Sequence, residues 1–140
     1  MKPYPFLFCL LLPFLPLSAS GTATVRQVKA IPDVRNGIRF DVYDIAIRGM
    51  KGKEVQYAFW LAQGDEWLDE SGKELDPVTP KSAAAAYRGK VCTVHYSWNE
   101  IRKLGNPAET YQAVFVITDP ESEAELAQAA VEFRLPAIKS

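Results

Sequence analysis

Apolar and polar residues alternate along most of the chain beyond residue 20. The clearest stretch is 55–61, whose odd-numbered positions are Val, Tyr, Phe and Leu and whose even-numbered positions are Gln, Ala and Trp. A period of two places the apolar side chains on one face of a β-strand. Similar patterns predict strands over residues 24–31, 38–47, 55–61, 66–68, 90–96, 111–118 and 126–135.

Two of these strands carry further detail. In residues 38–47 the apolar positions change phase after Val42, which predicts a bulge or a strand buried on both sides. Asn36-Gly37 just ahead of it predicts a tight turn, because both residues tolerate positive φ. Residues 111–118 are apolar on both faces, so we expect them at the centre of a sheet.

Three segments are harder to assign. We expect alanines 83–86 to form a short edge segment, separated by Gly89 from the strand that follows, and residues 69–82 to form a long loop or irregular edge. Residues 121–135 are rich in Ala and Glu, which favours helix. From residue 126, however, they alternate, and we predict a strand paired with residues 111–118.

One helix start is well marked. Ser97 followed by Glu100 is the capping-box pattern, in which each side chain binds a backbone N–H at the start of a helix. Ile101 and Leu104 supply an apolar side, and Gly105 ends the segment after one or two turns.

About seven short strands, one short helix and no alternation of strands with helices indicate an all-β fold. We predict a single domain over residues 21–140, an antiparallel immunoglobulin-like β-sandwich. A small barrel is the alternative, since the Cys, Trp, Cys signature of antibody domains is absent.

A loose sequence resemblance agrees with this fold. Gly49-Met50-Lys51-Gly52-Lys53, then Tyr57-Ala58-Phe59-Trp60, then Gly64 form a lysine-containing hairpin, an aromatic strand and a glycine turn. This order resembles that of small exported bacterial immunoglobulin-like β-sandwich domains of uncharacterised function. The resemblance implies a sandwich and a bacterial source, and it brings no catalytic residue.

The first twenty residues have the composition of an export signal. Lys2 precedes the apolar run 6–12, and small residues follow at 18–21. This order is typical of a secretory signal cleaved after a small residue, most simply Ser20. We therefore expect a signal peptide over residues 1–20 and a secreted or periplasmic mature chain. The apolar run is too short for a membrane-spanning helix of about 20 residues.

Charge and cysteine content limit the function further. The chain has 16 basic and 17 acidic residues, and removing Lys2 with the signal leaves 15 against 17, a net charge of −2. This interspersed balance argues against nucleic acid or a polybasic membrane anchor as partner. Cys92 is the only cysteine left beyond the signal, and its neighbours Val91 and Val94 predict a buried structural thiol.

No catalytic or metal-binding constellation stands out. Cys92 and His95 would point to opposite faces of a strand, which argues against a nucleophilic pair or a zinc site. The acidic residues between 65 and 76 lack calcium-loop spacing and are best interpreted as a solvated loop. We expect no enzymatic activity, no cofactor and no metal; a hydrolase using scattered carboxylates is the least favoured alternative.

The aromatic residues are the main candidates for a binding site. Trp60, Trp67 and Tyr57 lie on or beside the aromatic strand, and exposed tryptophans often dominate binding energy. We hypothesise a non-enzymatic module that binds another protein, with Trp60, Trp67 and the hairpin tip at 51–53 as its centre. The alternative is a small-ligand or carbohydrate pocket lined by Tyr57, Trp60 and Trp67. Each tryptophan, Trp98 included, has a core position as its competing interpretation.

Overall fold

A computed structural model describes residues 21–68, 72–105 and 109–136. The predicted signal at 1–20 lies outside these ranges, as do Asp69 and Glu70 of the acidic stretch. The elements are strands β1 (Thr22–Asp33), β2 (Gly37–Arg48), β3 (Gln56–Gln63), β4 (Glu66–Trp67), β5 (Lys73–Glu74), β6 (Ala84–Tyr96), β7 (Tyr111–Asp119) and β8 (Ala124–Phe133), with helix α1 (Trp98–Arg102) between β6 and β7.

The strands form two antiparallel sheets that pack face to face. One sheet has the order β1-β2-β6, and the other has the order β4-β3-β7-β8, with the two-residue β5 also paired to β3. The chain crosses between sheets after β2 and returns to lie beside β2 as β6. The two packed antiparallel sheets confirm the predicted all-β sandwich. The central position predicted for residues 111–118 is also confirmed, since β7 lies between β3 and β8.

The phase change in β2 is a bulge. The register against β6 shifts on both sides of Tyr43, and Asp44 adopts a positive φ of 57°. The Asp44 carboxylate accepts a hydrogen bond of 2.7 Å from the backbone N–H of Gly89 on β6. The extra residue lets Phe40 and Val42 on one side of the bulge, and Ile45 on the other, all face the core.

The structure corrects one strand assignment. Alanines 84–86 are not a separate segment, because β6 continues from Ala84 through Gly89 to Tyr96 at the edge of its sheet. Gly89 takes a φ of 76° opposite the bulge, so the strand irregularity is absorbed without a break. Residues 69–82, predicted as a long loop or irregular edge, contain the two-residue strand β5 beside β3, which agrees with the irregular edge. The strand assignment for residues 126–135 is confirmed by β8, which begins two residues earlier.

Helix α1 begins as its sequence predicts. The Ser97 hydroxyl accepts from the Glu100 backbone N–H at 3.1 Å, and a Glu100 carboxylate oxygen accepts from the Ser97 N–H at 2.8 Å. Trp98 is only 5% exposed, and its indole N–H donates to the Asp33 carbonyl at 2.8 Å. The core interpretation of Trp98 is therefore confirmed, and its ring ties the helix to the β1–β2 turn.

Aromatic side chains at the centre of the core join the two sheets. The Phe40 ring, on β2, lies 5.8 Å from that of Phe59 and 5.2 Å from that of Phe133, both on the opposite sheet. The centroid of the Phe59 ring lies 5.2 Å from that of the Phe115 ring. These contacts bury the inner faces of both sheets. A partner or ligand that binds to a sheet would therefore contact one of the two outer faces.

Candidate functional site

Trp60 and Trp67 lie together on the outer face of the second sheet. Trp60 on β3 is paired with Val114 on β7, and Trp67 on β4 is paired with Ala62. Their ring centroids are 5.4 Å apart with an interplanar angle of 46°. Both side chains are half-buried, so each ring keeps part of its surface accessible.

The two rings pack on a small apolar cluster that is separate from the main core. Ala62, Val114 and Val116 face outward from the sandwich, yet they are 1%, 0% and 7% exposed. Trp60 and Trp67 pack against these three residues. We call these five residues the tryptophan face. It is an apolar surface held by strand pairing, in which the tryptophans are the accessible members.

Tyr57 does not belong to this surface. It is 4% exposed, its ring lies 5.4 Å from that of Phe115 in the core, and burial raises the pKa of its phenol. The pocket hypothesised from Tyr57, Trp60 and Trp67 is therefore not formed. The reason is the strand period of two, which places positions 57 and 60 on opposite faces of β3.

The lysine hairpin is also separate from the tryptophans. Lys51 and Lys53 are exposed in the turn that precedes β3, whereas Trp67 is paired near the far end of that strand. Val114 and Val116 were not identified as site residues from sequence. The available signal was the apolar character of both faces of 111–118, which also suits a strand that is simply central.

A cleft of ≈ 680 Å³ lies elsewhere, at the end of the first sheet. It is formed by the β1–β2 turn together with Arg39 and His95, and no Trp, Tyr or Phe lines it. A ligand pocket usually has an apolar and aromatic lining. This cleft is therefore unlike the aromatic pocket considered from sequence.

Cys92 and His95 lie on opposite faces of β6. Cys92 packs against the core and His95 is exposed on the outside. Cys92 is half-buried, so its burial is less complete than predicted. Burial, with the Asp41 carboxylate adding a smaller effect, raises the pKa of the Cys92 thiol to about 11. A thiol in this environment is a weak nucleophile at neutral pH.

We expect Cys92 to react slowly in the native protein. A pKa of about 11, against an ordinary value of 9.0, lowers the thiolate fraction roughly a hundredfold near neutral pH. The measurement is the rate of labelling by a thiol reagent in native and in denatured protein. Equal rates in the two states would contradict the assignment of Cys92 as a structural residue.

Residues 21–68, 72–105 and 109–136 contain no group of three or more His, Cys, Asp or Glu side chains placed to hold a metal ion. In the same ranges no helix is long and apolar enough to cross a membrane.

Asp41 is a buried carboxylate on the outer side of the first sheet. It is 1% exposed, accepts from the Arg39 guanidinium at 3.0 and 3.2 Å, and accepts from the Thr93 hydroxyl at 2.7 Å. Burial alone would raise the pKa of Asp41. The hydrogen bonds from Thr93 and Arg39 outweigh that effect and hold the pKa below its ordinary value of 3.8. The cluster thus fixes the Arg39 guanidinium against the sheet.

This lowered pKa predicts a loss of stability in acid. The contribution of Asp41 is present above its unfolded pKa near 3.8 and is lost as the pH falls through the lower folded pKa. We expect Asp41→Asn to lower the free energy of unfolding by about 1–3 kcal/mol at neutral pH. Denaturant unfolding at neutral and acidic pH measures both effects. A variant whose deficit stays the same at low pH would contradict the role of the charged carboxylate.

Comparison with known proteins adds little to this geometry. No protein family and no curated protein matches the chain. The crystal structure of Bacteroides uniformis beta-glucuronidase is 8% identical with a TM-score of 0.33; the match covers 83% of this chain and 13% of that chain. The solution structure of a putative late embryogenesis abundant (LEA) protein is 14% identical with a TM-score of 0.37; the match covers 94% of this chain and 80% of that chain. Neither similarity carries an argument about function.

Proposed function

We propose that this protein is an exported, non-enzymatic β-sandwich module that binds another protein through the tryptophan face. The observation that carries the proposal is the Trp60–Trp67 pair, half-buried side by side on the outer face of a sheet. Tryptophan is enriched among the residues that contribute most to protein–protein binding. Paired rings on strands present their surface at a low entropic cost.

The form of this surface favours a protein over a small ligand. The two rings pack against Val114 and Ala62, which are 0% and 1% exposed, so the space between the rings and these residues is already filled. Small-molecule sites are concave and enclose most of their ligand, whereas protein interfaces have a broad apolar centre surrounded by polar residues. Gln112 and Glu132 continue the outer face beyond the tryptophans and would supply such a rim.

The test is capture of a partner by wild-type protein and by three single variants. We expect Trp60→Ala and Trp67→Ala each to weaken binding of the captured protein about 30-fold or more, as truncation of a dominant interface residue does. Tyr43→Ala is the matched control, because Tyr43 is a half-buried aromatic residue on the outer face of the other sheet. It should leave the affinity unchanged.

Circular dichroism must first show that each variant is folded. The affinity of the purified partner is then measured by titration. Equal affinity for wild type and both tryptophan variants would remove this face from consideration. Retention on an immobilised oligosaccharide, with no protein captured, would overturn the proposed class of partner.

A further inference from the structure

The outer face of the first sheet carries most of its charge as basic side chains. Lys29 lies between the core residues Val28 and Ala30, and Arg39 between Ile38 and Phe40, so both point outward. The bulge in β2 shifts this alternation, and Arg26, Arg48 and Arg88 also point outward, because each is the chain neighbour of a core-facing residue. With Lys90 on β6 and Arg35 in the turn at 34–36, they complete a set of seven basic residues. We call this set the basic face: Arg26, Lys29, Arg35, Arg39, Arg48, Arg88 and Lys90, all exposed.

The carboxylates of this face are held by close contacts within it. Asp41 is buried against Arg39 and Thr93. Asp44 accepts from the backbone N–H of Gly89 and pairs with Arg26 at 3.4 Å. Asp33 accepts from the backbone N–H of Arg35 at 3.0 Å in the turn. Three acidic against seven basic side chains give the basic face a net charge of +4, while the whole chain is −1.

Exposed aliphatic side chains adjoin the basic face at one end. Val34 is 76% exposed in the β1–β2 turn, and Ile31 is 37% exposed where it is paired with Arg39. They are the large hydrophobic residues found exposed within the described ranges. Both line the ≈ 680 Å³ cleft, together with Arg35, Arg39 and His95. Apolar and cationic groups are thus presented side by side.

From this arrangement we infer that the basic face docks on an anionic phospholipid surface. The basic side chains meet the lipid phosphates, the cleft receives one headgroup beside Arg35 and Arg39, and Val34 and Ile31 enter the boundary between headgroups and acyl chains. Surface-binding proteins combine these two contributions, basic residues and a few buried apolar groups. A soluble polyanion would use the charges but would leave Val34 exposed to water.

This interaction is independent of the proposed protein-binding function. The basic face belongs to the β1-β2-β6 sheet, and the tryptophan face lies on the outer side of the opposite sheet. Both outer faces can be occupied at the same time. A negative result for one interaction therefore does not contradict the other.

The test is co-sedimentation of the folded protein with lipid vesicles. We expect binding to vesicles of phosphatidylcholine mixed with phosphatidylglycerol, none to phosphatidylcholine alone, and release as salt shortens the range of the charges. The variant Lys29→Gln/Arg88→Gln/Lys90→Gln should bind roughly a hundredfold more weakly, since each basic residue near the surface contributes about fivefold. Val34→Ser should weaken binding a few-fold at every salt concentration.

A matched control removes the same charge from another part of the surface. Lys51→Gln/Lys53→Gln/Lys81→Gln neutralises three exposed lysines in loops outside the basic face, and it should bind as wild type does. Equal losses in the two triple variants would overturn the proposal, as would full binding by Val34→Ser. Binding to dextran sulfate without binding to anionic vesicles would assign the face to a soluble polyanion and would likewise overturn the lipid proposal.

Discussion

Replacing Phe40 with alanine should remove much of the stability of this protein. Phe40 is 0% exposed, and its ring contacts Tyr96 on its own sheet and Phe59 and Phe133 on the opposite one. Truncating a buried phenylalanine costs about 3–5 kcal/mol, because apolar contact is lost and a cavity remains. The whole free energy of unfolding of such a domain is about 5–15 kcal/mol. No disulfide constrains the described part of the chain.

Chemical denaturation of wild type, Phe40→Ala and Val34→Ala measures this effect. Val34 is the matched control, since it is 76% exposed and its truncation should change the free energy of unfolding by less than about 0.5 kcal/mol. We expect the melting temperature of Phe40→Ala to fall by roughly 10–20 °C. A loss below 1 kcal/mol would contradict the central position of this ring in the packing of the two sheets.

The second large effect is expected at Gly37, where β2 begins. Gly37 has a φ of 136°, a conformation that side chains strongly disfavour. A Cβ at this position would overlap the Tyr96 carbonyl oxygen and lie 2.9 Å from the Ser97 Cα. Neither backbone atom can move without disturbing the end of β6 and the N-cap of α1. We expect Gly37→Ala to cost about 2–5 kcal/mol, from backbone strain and overpacking together.

Gly52 is a control for positive φ without a close contact. Its φ of 75° is also positive, yet an added Cβ would meet nothing within 4 Å. Gly52→Ala should therefore cost only the conformational part, about 1–2 kcal/mol. Equal losses at the two positions, measured by denaturant unfolding, would show that close approach to Tyr96 contributes nothing.

The two outer faces of the sandwich differ in the kind of surface they present. One carries an aromatic pair over buried aliphatic residues. The other carries basic side chains beside an exposed valine. A module with both would hold a protein partner against an anionic surface. The tryptophan and lysine variants test the two halves of this arrangement separately.

Local sequence signals were sufficient wherever one residue and its near neighbours decide the outcome. The period of two placed β3, β7 and β8, the phase change after Val42 marked the bulge, and Ser97 with Glu100 marked the start of α1. These features depend on side-chain direction along a single strand and on hydrogen bonds within one turn. For the same reason the alternation already separates Tyr57 from Trp60, although the pocket predicted from sequence includes both.

Contacts between distant segments were decided only by the tertiary structure. In the sequence, Gly89 indicates the end of a strand. In the structure, its backbone N–H donates to the Asp44 carboxylate on β2, and strand β6 continues through it. Trp60 and Trp67 are near each other in sequence. Only the pairing of β3 with β4 and β7, however, brings their rings together against Val114.

Charge shows the same division. The sequence by itself determined an almost neutral total with both signs interspersed. The tertiary structure decided where these charges lie, because strand pairing placed Lys29, Arg39 and Lys90 on one outer face and turned the Asp41 carboxylate into a buried contact. The physical reason is that the sign of a surface depends on which strands are neighbours. That choice is made by long-range packing of the core.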